Sequence, residues 1–329
     1  MNKVAALTDK QRDELFRETA SRMHTTNAIV EKDFWVVWTL DKLFSHDSLS
    51  KILMFKGGTS LSKVFGLIER FSEDIDLILN WKLLTDDDPY GDRTKTQQNK
   101  FNEHINEEAK VYIKEELLPL VANIIKSHCT CQIDDEDGFK INVQYPALFS
   151  DVALLPQILL EIGPLALWLP SDSFKISPYA AKEFPGQFSK PTCRVNAILA
   201  KRTFWEKATI LHQEANRSET KLIPPRHSRH YYDLAMMAKS TVREEALADV
   251  ELLKDVAEFK KKFYPSAWAR YDDAKVGMLK LLPPEYRYKE LKEDYRAMRN
   301  MIFGEYIAFE EIISTLRELE KDINSLTES

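Results

Sequence analysis

The sequence predicts an α+β protein in which a mixed β-sheet flanked by helices is followed by a mainly helical C-terminal part. Three observations predict it. A short apolar run at 52–55 and apolar-rich segments at 74–79 and 158–162 have the length of strands. Beyond residue 200 the apolar positions recur at helical spacing. Between these regions, seven of the 14 prolines fall from Pro146 to Pro191, a density that disfavours long helices and marks a composition boundary. The domains expected are 1–195, a sheet-bearing core with N-terminal helices, and 196–329, a helical domain.

Each element follows from a local signal. Thr8 with Gln11 forms a capping-box pattern ahead of a helix to about Met23. A second helix runs from about Asn27 to Leu43, with Ile29, Trp35, Val36 and Leu40 as its buried face, although the apolar patch from Phe34 to Trp38 blurs the period. Glu31, Lys32 and Asp33 beside that patch read by default as a solvated face with its salt bridges. The run Ile52 to Phe55 is a buried strand that ends at Gly57 and Gly58, and residues 59–68 carry helical spacing through Leu61, Val64, Phe65 and Ile68. Asp74 to Leu79 is a second strand, Thr85 to Gln98 a polar loop, and Lys100 to Glu116 a helix. Thr130 to Ile133 and Phe139 to Tyr145 flank Asp137 and Gly138, a hairpin signal. Ile158 to Ile162 is a further strand, and helices are expected at Phe204 to Ala215, Arg229 to Lys239 and Arg243 to Phe263, with at least two more after them.

Composition narrows the function. No run approaches the roughly 18 apolar residues of a membrane-spanning helix, and the start MNKVAALTDKQRDELF lacks the pattern of a signal peptide. A cytoplasmic protein without a membrane partner is expected. Cys129, Cys131 and Cys193 are too few for a disulfide framework, and CxC beside one distant cysteine matches no zinc pattern. A net charge of −6 argues against a protein that simply coats nucleic acid. Locally the balance reverses: Ser173 to Tyr232 holds 11 Lys and Arg against 4 Asp and Glu. That stretch reads as a basic surface without a partner, or as one that holds a triphosphate or an RNA backbone.

Only nine glycines occur in 329 residues, where average usage of about 7% would give roughly two dozen. Two of them are adjacent, at Gly57 and Gly58. Residues 52–79, ILMFKGGTSLSKVFGLIERFSEDIDLIL, read as one unit of strand, glycine pair, helix and strand. Glycines at such a turn let a ligand approach the backbone, amides at a helix start favour an anion such as a triphosphate, and the hydroxyl of Ser60 can join them. Alternation in DIDL puts Asp74 and Asp76 on one face of their strand. Two carboxylates pointing the same way need a compensating cation, and Mg2+ fits because it takes hard oxygen ligands from one or two carboxylates and completes its shell with water and substrate phosphates. Glycines for phosphates and carboxylates for a metal describe nucleotidyl or phosphoryl transfer.

The segment FKGGTSLSKVFGLIERFSEDIDL resembles the signature of the AbiEii/AbiGii toxin family, a branch of the DNA polymerase β-like nucleotidyltransferase superfamily. EKDFWV at 31–36 is similar to the family's N-terminal region. A third block, KRTFWEKATILHQEANR followed by RHSRHYYDLAMM, lies in the C-terminal half. In it Thr203 and Glu206 form a capping-box pattern, which puts Lys207 in the first turn of a helix, where the dipole disfavours a cation. A nearby phosphate or a carboxylate partner accounts for that lysine. Arg229 and Asp233, four apart, can pair on one helix face. Related toxins have a functional lysine and a functional aspartate in similar blocks. The resemblance therefore implies roles for Lys207 and Asp233, the aspartate orienting the lysine or contacting metal or substrate. Many superfamily members use a third carboxylate, for which Glu161 inside ILLEIG is the candidate. His212, His227 and His230 read as packing or phosphate-contact residues rather than general bases.

The resemblance implies a nucleotidyltransferase core whose active site the helical domain completes. Asp74 and Asp76 would hold Mg2+, with Mn2+ as the alternative, while Gly57, Gly58, Thr59, Ser60, Lys207 and Arg229 would bind the nucleoside triphosphate. The acceptor implied is an RNA hydroxyl, with the tRNA 3′ end favoured, so that activity blocks growth. The partner implied is an antitoxin carrying a DNA-binding region. Two other readings are transfer to a protein hydroxyl and a non-catalytic protein that holds a nucleotide or a partner.

Overall fold

Seven strands form one mixed sheet: β1 (Leu53–Lys56), β2 (Asp74–Leu79), β3 (Thr130–Ile133), β4 (Lys140–Gln144), β5 (Gln157–Gly163), β6 (Ser171–Ile176) and β7 (Cys193–Ile198). Their order is β3-β4-β5-β2-β1-β7-β6. The pairs β2/β5 and β1/β7 are parallel and the other four antiparallel. This computed structural model describes residues 1–72, 74–151 and 154–326. The chain divides into two units, the first formed by Met1–Val64 and Phe71–Ile198, the second by Phe65–Arg70 together with the chain from Leu199 on. The sequence placed one boundary after residue 195. In the structure the C-terminal boundary follows Ile198, and six residues between β1 and β2 are grouped with the second unit.

In the first unit the helix Asn27–Phe44 packs on β5 and β7 and on the helices Asp9–Met23, Leu118–Ile125 and Tyr179–Glu183. All of its residues except Asn27 and Lys42 are buried, and that is why its apolar pattern has no single face. Trp35 lies against Phe34, Trp38 and Tyr145 in an aromatic cluster. Thr8 caps Asp9–Met23 in the box its spacing suggests. The burial of Glu31, Lys32 and Asp33 corrects the solvated-face reading. Glu31 accepts from the amides of Leu148 and Phe149, Lys32 donates to the Leu155 carbonyl, and Asp33 pairs with Lys63. Buried charge of this kind persists only where it is paired and hydrogen-bonded.

The helix expected over 59–68 is Gly57–Lys63, and the boundaries of the next helix differ from expectation for local reasons. Thr94 and Gln97 make a second capping box, so the helix Lys95–Tyr112 begins inside the expected loop. It then continues through a widened turn, Ile113–Leu117, into Leu118–Ile125, and Pro119 falls just after that turn, where the missing N–H costs least.

The second unit is built on the helix Ala200–Ala215, against which Arg229–Ala238, Val242–Leu247 and Glu251–Phe263 pack. Phe309–Ser325 packs on Arg229–Ala238, and Tyr288–Ala297 precedes it. The helix expected from Arg243 to Phe263 is two helices. Asp249 at the break takes Lys201 on its carboxylate at 2.7 Å and the Trp205 indole N–H on its carbonyl at 3.2 Å. Among the described residues no helix is long and apolar enough to cross a membrane.

Candidate active site

In the first unit the site begins where β1 runs out. Gly57 follows Lys56 with φ +78°, and a Cβ on it would overlap Asp76 Oδ2 and stand 2.5 Å from Asp76 Cγ. The backbone must therefore be bare for the Asp76 carboxylate to sit where it does. In the sheet register Asp76 lies opposite Lys56 on β1 and opposite Glu161 on β5, and Glu161 lies opposite Lys140 on β4. Residues directly opposite share a face, so Lys140, Glu161, Asp76 and Lys56 form a row with two lysines flanking two acids. Asp74, two residues before Asp76, is on the same face, and both aspartates are half-buried. A hydrogen bond from Lys140 to Asp137, aided by the charge of Glu161, raises the Lys140 ammonium above the ordinary lysine range. Farther along this face Met54, Ile78 and Ile198 pack with Ala166 and Trp168.

The hydroxyls next to the glycines are used internally. Thr59 Oγ1 donates to the carbonyl of Asp74 at 2.5 Å and Ser60 Oγ to the carbonyl of Gly57 at 2.9 Å, and both residues are buried. The seven-residue helix Gly57–Lys63 is tied at its far end by the Asp33–Lys63 pair, 2.5 Å, where Asp33 also accepts the Tyr179 amide at 2.7 Å. The Lys63 ammonium lies 3.7 Å from the centre of the Tyr179 ring. Burial pushes the Asp33 carboxyl up and the Lys63 ammonium down, each opposed by the charge of the other.

The donor chemistry here fits a hard cation. Asp74 and Asp76 offer carboxylate oxygens at alternate positions of one strand, with Glu161 beside Asp76. Among the described residues no three His, Cys, Asp or Glu side chains are gathered as a metal-holding group. Asp74 and Asp76 could hold a hard cation such as Mg2+, which takes one or two carboxylates and draws its remaining oxygens from substrate and water.

The second unit holds a separate buried cluster around Asp233. Its Oδ1 accepts from Arg70 Nε at 2.6 Å, and its Oδ2 accepts from Arg70 Nη2 at 2.8 Å and pairs with Lys207 Nζ at 2.9 Å. Lys207 Nζ also lies 3.1 Å from His230 Nδ1. Arg229 is not the partner of Asp233 that the four-residue spacing suggests: the carboxylate turns inward to Arg70 and Lys207. Among the described residues the Arg229 guanidinium makes no hydrogen bond or ion pair. The expected capping box at Thr203 and Glu206 is absent because the helix already starts at Ala200, so Lys207 sits in mid-helix and its environment, not the dipole, explains it. Burial, then the neighbouring cations led by Lys207, hold the His230 imidazole well below its ordinary range, so it is neutral and accepts from Lys207. His212 is a packing residue that accepts the Lys280 amide on Nδ1 and bonds the Arg270 carbonyl through Nε2. Of the basic stretch, Lys190, Lys201, Arg202, Lys207 and Arg217 are engaged by Asp41, Asp249, Glu206, Asp233 and Glu214, so the excess is not an open cationic surface throughout.

Burial alone would raise the Asp233 carboxyl, but the charges of Arg70 and Lys207 outweigh it and bring it from 3.8 down to about 2. A depressed acid stabilises the fold above its unfolded value and loses that contribution as pH falls through its folded value. About 2 kcal/mol is thus expected to be present at pH 5 and to disappear between pH 4 and pH 2. Denaturant unfolding across that range checks this: the stability gap between wild type and Asp233→Asn should narrow steadily, and a gap that stays constant would contradict it.

Comparison with known proteins bears on this arrangement. The model of the nucleotidyl transferase AbiEii toxin family, type IV toxin–antitoxin systems, matches residues 38–315. The chain belongs to the AbiEii family. It is a nucleotidyltransferase of that toxin family. Among solved structures it is similar to MenT4, a nucleotidyltransferase toxin from Mycobacterium tuberculosis H37Rv, at 18% identity and TM-score 0.43, covering 95% of this chain and 99% of that one. JHP933 from Helicobacter pylori is similar at 14% identity and TM-score 0.45, covering 91% and 93%. No curated protein matches.

Within this AbiEii chain, the glycine turn, DxD pair and Lys207–Asp233 pair were all visible as sequence blocks, and the fold brings together Gly57 with Asp76, Asp76 with Glu161, and Lys207 with Asp233. Arg70 and Lys63 enter only through the structure, and His230, read from sequence as a packing or phosphate-contact residue, is the partner of Lys207. Arg70 lies within RFSED, the block that carries the family resemblance, and that was the available signal. Glu73 of the same block lies outside the described residues. EKDFWV at 31–36 precedes the matched span, and its charged residues act through the buried contacts described above.

Proposed function

We propose that this AbiEii-family protein is a Mg2+-dependent enzyme that transfers a nucleotide from a nucleoside triphosphate to an RNA hydroxyl, with the tRNA 3′ end as the favoured acceptor. The observation that carries the reading is the Asp76 carboxylate lodged against the bare backbone of Gly57, with Asp74 on the same strand face. It joins a glycine turn to a pair of acids suited to a hard cation. In the reaction the acceptor oxygen forms a bond to the α-phosphorus, the bond from that phosphorus to pyrophosphate breaks, and the hydroxyl proton leaves to solvent. Bound Mg2+ supplies positive charge to phosphate oxygens as negative charge builds on the leaving group. Asp74 and Asp76 would hold it, with Glu161 as the neighbouring acid. The backbone of Gly57 and Gly58 admits the phosphates, and Thr59 and Ser60 shape the turn. By the family resemblance, Lys207 would bind a phosphate oxygen, with Arg229 as a further cation. Transfer to RNA would arrest growth in the cytoplasm, and an antitoxin with a DNA-binding region would be its partner.

The test incubates purified protein with Mg2+, each labelled triphosphate and total RNA. Label should enter RNA, vanish with EDTA, and fall on the order of 100-fold or more in Asp74→Ala and in Asp76→Ala. Label on protein instead would select a protein hydroxyl as the acceptor. No transfer to anything, with Asp74→Ala indistinguishable from wild type, would sink the catalytic reading and leave a protein that only binds.

A further inference from the structure

Arg70 enters the second unit from an unexpected part of the chain. Phe65–Arg70 lies between β1 and β2 in sequence, yet it is grouped with the helices after Leu199. It is held there by backbone: the Phe303 amide donates to the Glu69 carbonyl at 2.9 Å, Arg70 bridges to Ile302, and the Glu69 amide donates to the Tyr232 hydroxyl at 3.4 Å. Gly304 is bare because a Cβ there would overlap Glu69 Oε2. These contacts deliver a guanidinium whose side chain is 4% exposed to a carboxylate that is fully buried.

The geometry has two consequences for Lys207. An ammonium has three N–H donors. For Lys207 one is taken by Asp233 Oδ2 and one by His230 Nδ1. Those two bonds orient the third, for which the described residues offer no acceptor. The Asp233 carboxylate that sets this direction is itself fixed in plane by the two-pronged Arg70 bond. In addition, the single negative charge of Asp233 is shared between two cations, so it does not fully neutralise Lys207.

We propose that Arg70 is a positioning residue for Lys207: by holding both oxygens of Asp233, it aims the remaining Lys207 N–H and leaves that ammonium able to attract an anionic phosphoryl oxygen. The role rests on the reading that Lys207 binds the triphosphate. Arg70 touches no substrate; it acts through Asp233.

Full-length Arg70→Met, Arg70→Lys and Lys207→Met proteins test it by calorimetric titration with the four nucleoside triphosphates and by kinetics with RNA. Removal of Arg70 leaves Lys207 and Asp233 paired, so Arg70→Met is expected to fold. If it does not, Arg70→Gln, which keeps amide donors without the charge, takes its place. The charge-assisted contact at stake predicts a rise of about tenfold in triphosphate Kd and KM, with kcat at saturation changed by less than about threefold. Arg70→Lys should recover most of that loss. A merely structural role would lower the thermal midpoint and the active fraction, and leave KM alone. Wild-type affinity in Arg70→Met, alongside lost affinity in Lys207→Met, would overturn the role of Arg70 and keep that of Lys207. Wild-type affinity in both would overturn the underlying reading of Lys207 as well.

Discussion

Gly57→Ala is expected to lose nucleotide transfer by on the order of 100-fold while the sheet stays folded. Two effects act at this position. The backbone there has φ +78°, a left-handed conformation that costs an L-residue about 1–2 kcal/mol. More important is the neighbour. The new Cβ would overlap Asp76 Oδ2 and come within 2.9 Å of Asp76 Cβ, so relief cannot come from rotating the far end of a long side chain. Asp76 must move, and with it the oxygen offered to the cation. The double variant Gly57→Ala/Asp76→Ala separates this from general damage. If the alanine acts by displacing Asp76, it should add little to the loss already caused by Asp76→Ala, the non-additivity expected of touching residues. Losses that multiply in the double variant would place the effect elsewhere.

Asp33→Ala should be strongly destabilising. It strands the Lys63 ammonium, 4% exposed against an aspartate that is 2% exposed, and removes the acceptor of the Tyr179 amide. Breaking a buried pair from one side costs about 3–5 kcal/mol, because the remaining charge keeps its desolvation and loses its partner. Removing both charges is milder, so Asp33→Leu/Lys63→Met should recover much of the loss. Urea unfolding measures both. A loss below about 1 kcal/mol in the single variant would mean that Lys63 finds water or another anion. Because Lys63 ends the helix that Gly57 begins, the single variant should also weaken triphosphate binding.

What could be read in the sequence was whatever depends on near neighbours in the chain. The Thr8 box, the strand at Asp74–Leu79 and the turn at Gly57 follow from spacing over a few residues, and the α+β class with its mixed sheet follows from them. The partners of charged groups did not follow. Glu31, Lys32 and Asp33 looked solvated because charge usually is, yet their acceptors and donors lie up to 146 residues away. Arg229 stands four residues from Asp233, the right distance for an ion pair, but Asp233 prefers Arg70, 163 residues away, because a two-pronged buried contact exceeds a surface one. The place of Glu161 beside Asp76 required the strand order, which sequence does not supply.

The Phe65–Arg70 segment also governs how this protein can be cut and made. The peptide chain passes between the two units three times, so no single break in it yields two complete pieces. A fragment starting at Leu199 would carry Asp233 without Arg70, and one ending at Ile198 would carry Arg70 without its acceptor. During synthesis Arg70 emerges long before Asp233, and the lysine pair it steadies cannot be assembled until the helix Arg229–Ala238 has been made. A ribosome that stalls between those two residues therefore leaves a chain lacking that assembly.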